Sequence, residues 1–353
     1  MCSFSLEWRK HAKIGRISKR FPPFNFKNYF LNRMTKIERL LIQLIKIDSS
    51  KNNEEEIAEF IIKELGKEFI ITKQYVDEKR YNIFAKKGNS NVFIVAHIDT
   101  VVGDVKIGMN DKRIYGRGAC DNKGNVAGAI IAAKKMKDVN LIFTVGEEKD
   151  FDGAKLASKK IKKDSKVIVM EGTNLKIANE QTGVIVAKII AKDKARHSSL
   201  KSDELEGATE KLCSYLSYLE ACKFNGFNIG KISGGIAPNI VSDYAEAEIS
   251  FRPKDEEEFR FLIDELTLRN TIVIKEITKK IKPVESNIRI KGYKMIPLLG
   301  FTEMYFFKNS VVFGAGSLKN AHTDNESISK KELNELPNKL INLYNKINEY
   351  KKI

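Results

Sequence analysis

The run Val92–Asp99, VFIVAHID, decides the architecture: five apolar residues in a row lead into an imidazole and a carboxylate two positions apart. An unbroken apolar run of this length reads as a strand buried on both faces, the kind found in parallel sheets covered by helices on each side. The form recurs twice. LIFTV (141–145) leads into Gly146, Glu147 and Glu148, and VIVM (167–170) leads into Glu171. Residues 125–137, between the first two runs, read as a helix. Strands alternating with helices give an α/β layer with a mixed, mostly parallel sheet flanked by helices. In such a sheet the C-terminal strand ends open onto one crevice. His97, Asp99, Glu147, Glu148 and Glu171 all occupy such ends.

Working outward, Ile37, Leu40, Leu41, Leu44 and Ile45 keep a helical spacing, and EEEIAEFIIKEL (54–65) makes a second amphipathic helix. From residue 182 the pattern changes to strand, helix, two strands, helix, strand over about a hundred residues, the order of a split βαβ, ferredoxin-like unit. A strand at Ser310–Phe313 and a terminal helix at Lys330–Tyr350 read as the first layer resuming. The expected organisation is a catalytic domain in two parts, 34–181 and 285–353, with an inserted α+β lid or dimerisation domain at 182–284. Residues 1–33 hold eight basic residues against one acid, the only tryptophan (Trp8) and the Pro22-Pro23 pair, and Met34 follows. They are expected to be a basic N-terminal extension outside the fold, either an upstream translation artefact or a targeting segment.

With 353 residues, 42% hydrophobic and 31% charged, the chain is globular. No run approaches the roughly 18 apolar residues of a membrane span, so no membrane association is expected. The formal charge is +16. Its lysines are mostly interspersed with acids, as in Lys159–Lys166, and read as solvated surface, as does the Lys279–Lys282 run. No aromatic-and-basic stacking pattern accompanies them, so nucleic acid is not an expected partner. The four cysteines are scattered, which excludes a disulfide scaffold or thiolate zinc site and points to a reducing cytoplasm.

Carboxylates crowded at one crevice repel and raise one another's pKa unless cations compensate them, and divalent metal is the natural compensation. Asp121 lies in the glycine-broken turn YGRGACDNKGN (115–125), where it reads either as a helix cap or as a further site acid. His322, in GAGSLKNAHTDNE (314–326), follows the last strand and supplies a second imidazole. Two imidazoles and three carboxylates, one of them shared, give each of two ions three protein ligands and room for water. Hydrolysis also requires a base that is not a ligand, and the adjacent Glu147 and Glu148 can divide those roles. His197, in KDKARHSSL (192–200), reads either as a surface histidine or as a donor reaching a site across an interface.

In order along the chain come AHIDTV, YGRGACDNKGN, VGEEKDF, MEGT, RHSS, GGIAPNIVSDYAEAEISFRP and GAGSLKNAHTDNE, and the resemblance they carry covers nearly the whole chain from Met34 onward. The sequence resembles the zinc-dependent amidohydrolase and exopeptidase family of acetylornithine deacetylase, succinyl-diaminopimelate desuccinylase, aminoacylase, carboxypeptidase G and the lysine or ornithine carrier-protein hydrolases. The resemblance implies that His97 and Glu171 ligate one zinc, Glu148 and His322 the other, with Asp121 bridging. It makes Asp99 the residue that orients His97, and Glu147 the general base and then acid. His197, presented from a partner subunit, would polarise the scissile carbonyl. Asn239 and Arg252 would bind the substrate carboxylate. Two zinc ions per subunit are implied, with cobalt as a substitute, and a homodimer formed through the inserted domain. Four positions depart from the family's habit: Gly172 and Ser242 where proline is common, Asp193 where glycine is frequent, and Glu303 where aspartate is usual.

The expected activity is hydrolysis of an amide in an N-acyl amino acid or amino-acid biosynthetic intermediate, of the acetylornithine or succinyl-diaminopimelate type. The alternatives are release of lysine or ornithine from an acidic carrier protein, a small di- or tripeptidase, and, from another class, a catalytically silent metal-binding module.

Overall fold

In chain order the elements begin with α1 (Lys36–Ile45), α2 (Glu55–Leu65), β1 (Ile70–Tyr75), β2 (Tyr81–Lys87), β3 (Val92–His97), β4 (Gly108–Met109) and β5 (Arg113–Tyr115). Next come α3 (Lys123–Lys135), β6 (Val139–Thr144), α4 (Asp152–Ser158), β7 (Lys166–Val169), β8 (Ile177–Gln181), β9 (Val184–Lys192) and β10 (Arg196–His197). There follow α5 (Ala208–Ala221), β11 (Asn228–Gly234), β12 (Ile240–Val241), β13 (Tyr244–Phe251), α6 (Glu256–Thr267), β14 (Val273–Ile281) and β15 (Val284–Glu285). The chain closes with β16 (Met295–Leu298), β17 (Ser310–Phe313), β18 (Ser327–Ser329) and α7 (Lys330–Glu349). This computed structural model describes residues 34–200, 206–268 and 272–349, so the basic extension 1–33 lies outside the described residues.

Nine strands make the large sheet, in the order β1-β2-β6-β3-β7-β17-β8-β15 with β16 paired to β8. Its centre is parallel: β3 lies between β6 and β7, and β7 beside β17. Side chains alternate across a strand, so each central strand feeds two cores. Ile94 and Ala96, Leu141 and Phe143, Ile168, and Val311 and Phe313 face a core completed by α1, α3 and α7. Val95, Ile142, Val167, Val169 and Val312 face another, completed by Ala154 and Ala157 of α4 and by Met304 and Phe307. Burial on both faces is why these runs are uniformly apolar rather than alternating.

After β8 the chain leaves this sheet, and it re-enters at β15, where Val284 pairs antiparallel with Gln181. In between, β11-β13-β9-β14 form an antiparallel sheet of their own. One face carries α5 and α6 over a separate core of Ile185, Ala187, Ile189, Leu212, Leu216, Ala247, Ile249, Phe251 and Leu262. The α6 start is fixed by Asp255, whose carboxylate accepts from Glu258 N at 2.9 Å, and by the acids Glu256–Glu258 at the positive end of the helix dipole. The opposite sheet face is left open, and its Val184 and Val186 border the cleft described below. Sequence periodicity gave no sign of two short ladders, β18-β5-β4 and β10-β12, because strands of two or three residues show no alternation.

Ala and Gly replace bulky residues along α3, which is buried over most of its circumference. A Cβ on Gly128 would sit 2.2 Å from Leu336 Cδ2 of α7 and 2.7 Å from its Cγ, so the two helices approach over a missing side chain. Gly128→Val is expected to lower the unfolding free energy by about 1–3 kcal/mol. In a Leu336→Ala background that cost should vanish, as read by urea denaturation. An equal cost in both backgrounds would contradict the close approach.

Candidate metal centre

Strands β6, β3, β7 and β17 run in the same direction, so their C-terminal ends share one edge. There the chain delivers His97 at the end of β3, Glu147 and Glu148 after β6, Glu171 after β7, and His322 after β17. Gly146 (φ +70°) turns the chain so that both glutamates follow directly on the strand, a conformation that glycine adopts without steric penalty. His322 is itself left-handed, at φ +60°, the kind of strained backbone that gathers at working sites.

Asp121 arrives from the turn between β5 and α3. The cap position of α3 belongs to Asn122, which makes no side-chain cap bond, and the Asp121 carboxylate faces the crevice. Its two oxygens divide between the two imidazoles. Oδ1 lies 3.1 Å from His97 Nε2, and Oδ2 lies 3.2 Å from His322 Nε2. Glu171 Oε1 is 3.4 Å from His97 Nε2, and Glu148 Oε2 is 3.0 Å from His322 Nε2. Two donor groups result, His97–Asp121–Glu171 and Asp121–Glu148–His322, with Asp121 common to both. A four-coordinate ion with bonds of about 2.0–2.2 Å holds its donors about 3.3–3.6 Å apart. The measured separations and the nitrogen-and-carboxylate chemistry therefore fit two divalent ions.

The electrostatics carry the same message. Burial alone would lower the His97 pKa, yet Glu147, Asp121, Asp99 and Glu171 around it hold it well above the usual imidazole range. Burial lifts Glu171 to about 7, with Asp121 and Glu148 adding and His97 opposing. Glu147 is likewise pushed well above the ordinary carboxylate range, first by burial and then by Glu171, Glu148 and Asp121, against the pull of His97. Asp121 is buried too, but its hydrogen bonds to His322 and His97 hold it far below that range. His322 rises to about 10 through its bonds to Asp121 and Glu148. So many enclosed carboxylates need positive charge.

Glu147 belongs to neither donor group and lines the cleft beside both. Asp99 contacts the His97 ring and also has a second task. His97 Nδ1 donates to the Asp99 backbone carbonyl at 3.1 Å, while the nearer carboxylate oxygen is 3.5 Å away. The Asp99 carboxylate also accepts from the backbone of Glu147 (3.1 Å) and Glu148 (3.0 Å), so it fixes the loop carrying both glutamates.

The cleft above these groups has a volume of about 440 Å³. Arg252 and Lys279 from the second sheet line it, opposite Phe301 and Leu299. His197 and Asn239 do not. They sit together at the β10-β12 ladder, where Ser198 N donates to the Asn239 carbonyl and His197 Nδ1 lies 2.8 Å from Ser199 Oγ.

Two residues outside the sequence assignment belong to the site's support. Glu303, 1% exposed, is lifted to about 7 by burial, with His97 opposing. Glu326 accepts from the backbone of Gly118, Cys120 and Asp121 and from Arg117 at 2.8 Å, so one buried carboxylate holds the whole Asp121 turn. The signal lay in the final motif, four residues beyond His322, but nothing in the spacing tied it to a turn about 200 residues earlier. Glu326→Gln is expected to keep the fold and to bind zinc about 10- to 100-fold more weakly, the usual effect of losing a group that orients a ligand. Competition with a chromophoric chelator reads that change, and wild-type affinity would show that the Asp121 turn holds itself.

Residues 93–345 match the profile of Peptidase family M20/M25/M40. An M20 peptidase domain-containing protein of Schizosaccharomyces pombe is 29% identical over 318 residues, covering 82% of this chain and 79% of that one. A [LysW]-lysine/[LysW]-ornithine hydrolase of Sulfurisphaera tokodaii is 26% identical, covering 84% of this chain and 92% of its own. Among solved structures, a Bacillus subtilis protein described as a dinuclear metal-binding peptidase of family M20 superposes with a TM-score of 0.66 at 16% identity, covering 92% of this chain and 99% of that one. With the matched profile spanning most of its length, the chain belongs to peptidase family M20/M25/M40 and is a metal-dependent hydrolase of the peptidase or amidohydrolase type.

Proposed function

We propose that the protein hydrolyses the amide bond of an N-acyl amino acid, with Glu147 as the proton carrier between two metal ions. The observation that supports this most is the position of Glu147: half-buried in the wall of the cleft that both donor groups border, and a member of neither. His97, Asp121 and Glu171 would hold one ion, and Asp121, Glu148 and His322 the other. Two such ions, zinc with cobalt as a substitute, supply Lewis acidity and a water whose pKa falls to about 7.

This chain's residues do the rest. The Glu147 carboxylate takes the proton of the attacking water and returns it to the departing amine nitrogen, so one group serves as base and then acid. The Asp99 carboxylate keeps Glu147 and Glu148 in place through their backbone N–H groups. Arg252, half-buried, makes no side-chain bond to the protein among the described residues, so its guanidinium is free to pair with a substrate carboxylate in two parallel hydrogen bonds. Phe301 and Leu299 give the cleft an apolar border.

His197 and Asn239 lie away from this chain's own cleft, and their proposed role is in the cleft of a second copy. The edge strand β11 is exposed along its whole length and turns Ile229 and Ile232 outward, a surface suited to pairing between two inserted domains. The inserted domain then acts as both lid and dimerisation unit. No helix among the described residues is long and apolar enough to cross a membrane, and Cys120, Cys213 and Cys222 are free thiols, in keeping with a cytoplasmic setting.

Glu147→Gln should retain two zinc ions and lose about 10²- to 10⁴-fold in turnover. His197→Ala should also be slow. Mixing the two inactive variants should restore part of the activity, because a mixed dimer contains one cleft with both groups intact. Near-wild-type activity of Glu147→Gln would remove the assigned base, and failure of the mixture to recover would remove the shared site.

A further inference from the structure

Strand β14 changes face part of the way along. Val273, Lys275 and Ile277 pair with Ala191, Ile189 and Ala187, whose side chains point into the core under α5 and α6. The register then shifts by one residue, and Lys279 and Ile281 pair with Val186 and Val184 on the open face. Thr278 is the extra residue, and its Oγ1 donates to the Val186 carbonyl at 3.2 Å. Without this bulge Lys279 would stand opposite Ile185, which is fully buried in the core. Bulges beside active sites commonly re-aim a side chain in this way.

The result is an exposed lysine, as the solvated-surface reading of the Lys279–Lys282 run expects, that also lines the cleft. Lys188 pairs with Glu246 at 2.7 Å and Lys282 with Glu256 at 2.8 Å, whereas Lys279 and the adjacent Lys280, of which only Lys279 lines the cleft, have no acid partner among the described residues. Arg252 follows the end of β13, on the far side of β9, and is also without one. Strands are about 4.8 Å apart, so these two cations arise about 10 Å from each other on the same wall. Two divalent ions would offset Asp121, Glu147, Glu148 and Glu171 on the cleft floor. Arg252 and Lys279 then remain as excess charge, beside Lys149, whose ammonium has the Asp150 carboxylate 4.0 Å away.

We infer that Lys279 is a specificity-determining group that binds a second carboxylate of the substrate, so that the preferred N-acyl amino acid carries two negative charges. This rests on the N-acyl amino acid reading above and narrows its substrate class. The second carboxylate can sit on the amino-acid side chain or at the end of the acyl group, and the chemistry at Lys279 is the same.

Three substrates separate these cases: N-acetyl-L-glutamate, N-succinyl-L-leucine and N-acetyl-L-leucine, assayed with zinc or cobalt. The wild type should prefer one of the two dianionic compounds over N-acetyl-L-leucine by about 10- to 100-fold in kcat/KM, the range of a hydrogen bond to a charged group. Which one it prefers locates the second carboxylate. Lys279→Ala should erase that preference mainly through KM, Lys279→Arg should keep most of it, and Lys279→Glu should invert it. Calorimetric binding of glutamate, succinate and leucine to the Glu147→Gln protein, with and without Lys279→Ala, gives a readout free of turnover. Equal wild-type rates on all three substrates, or an equal loss on all three in Lys279→Ala, would overturn the inference while leaving the amidohydrolase reading in place. No hydrolysis of any of the three would overturn that reading itself.

Discussion

The structure depends on one carboxylate held between two imidazoles. Asp121 places one oxygen near His97 and the other near His322, residues separated by more than two hundred positions in the chain. Everything around it keeps that arrangement: the parallel strands that bring the other acids to the same edge, the Asp99 carboxylate that pins the Glu147–Glu148 loop, and Glu326, which gathers three backbone donors beneath the Asp121 turn. A group of buried acids this dense is unfavourable in isolation. It is retained because the same residues that repel one another can share cations.

Much of this was legible in the sequence, for a definable reason. The runs 92–96, 141–145 and 167–170 are apolar throughout because both faces of β3, β6 and β7 are covered. The chemistry begins where the apolar run stops, so strand ends and site residues could be read together. The antiparallel sheet was legible from the order of its elements, and its strand β13 shows the clean alternation of a sheet with one covered face.

What could not be read depended on registers and on contacts distant in sequence. The bulge at Thr278 leaves no mark in VIKEITKKI, because a one-residue shift exchanges faces without altering composition. Lys279 is exposed, as its lysine run suggested, but its place at the cleft could not be read. The second task of Asp99 was hidden for a related reason: spacing by two places it on the His97 side, where it does meet the ring, but does not disclose its carboxylate's bonds to the Glu147 and Glu148 backbone, which lie about fifty residues away in the chain. Glu326 was invisible because the ladder joining β18 to β5 is only three residues long.

The two sheets divide the labour. The large one fixes His97, Glu147, Glu148 and Glu171 with little freedom, since each ends or follows a doubly buried strand, while Asp121 is held by the turn that Glu326 fastens. The smaller one contributes Arg252 and Lys279 to the cleft wall, where the proposed substrate contacts would be made. Sharing of Asp121 between two ion sites is tested by metal content after zinc loading and gel filtration. Two zinc ions are expected per wild-type chain, one in His322→Ala and none firmly held in Asp121→Ala. A wild-type chain with a single ion, or Asp121→Ala retaining two, would contradict it.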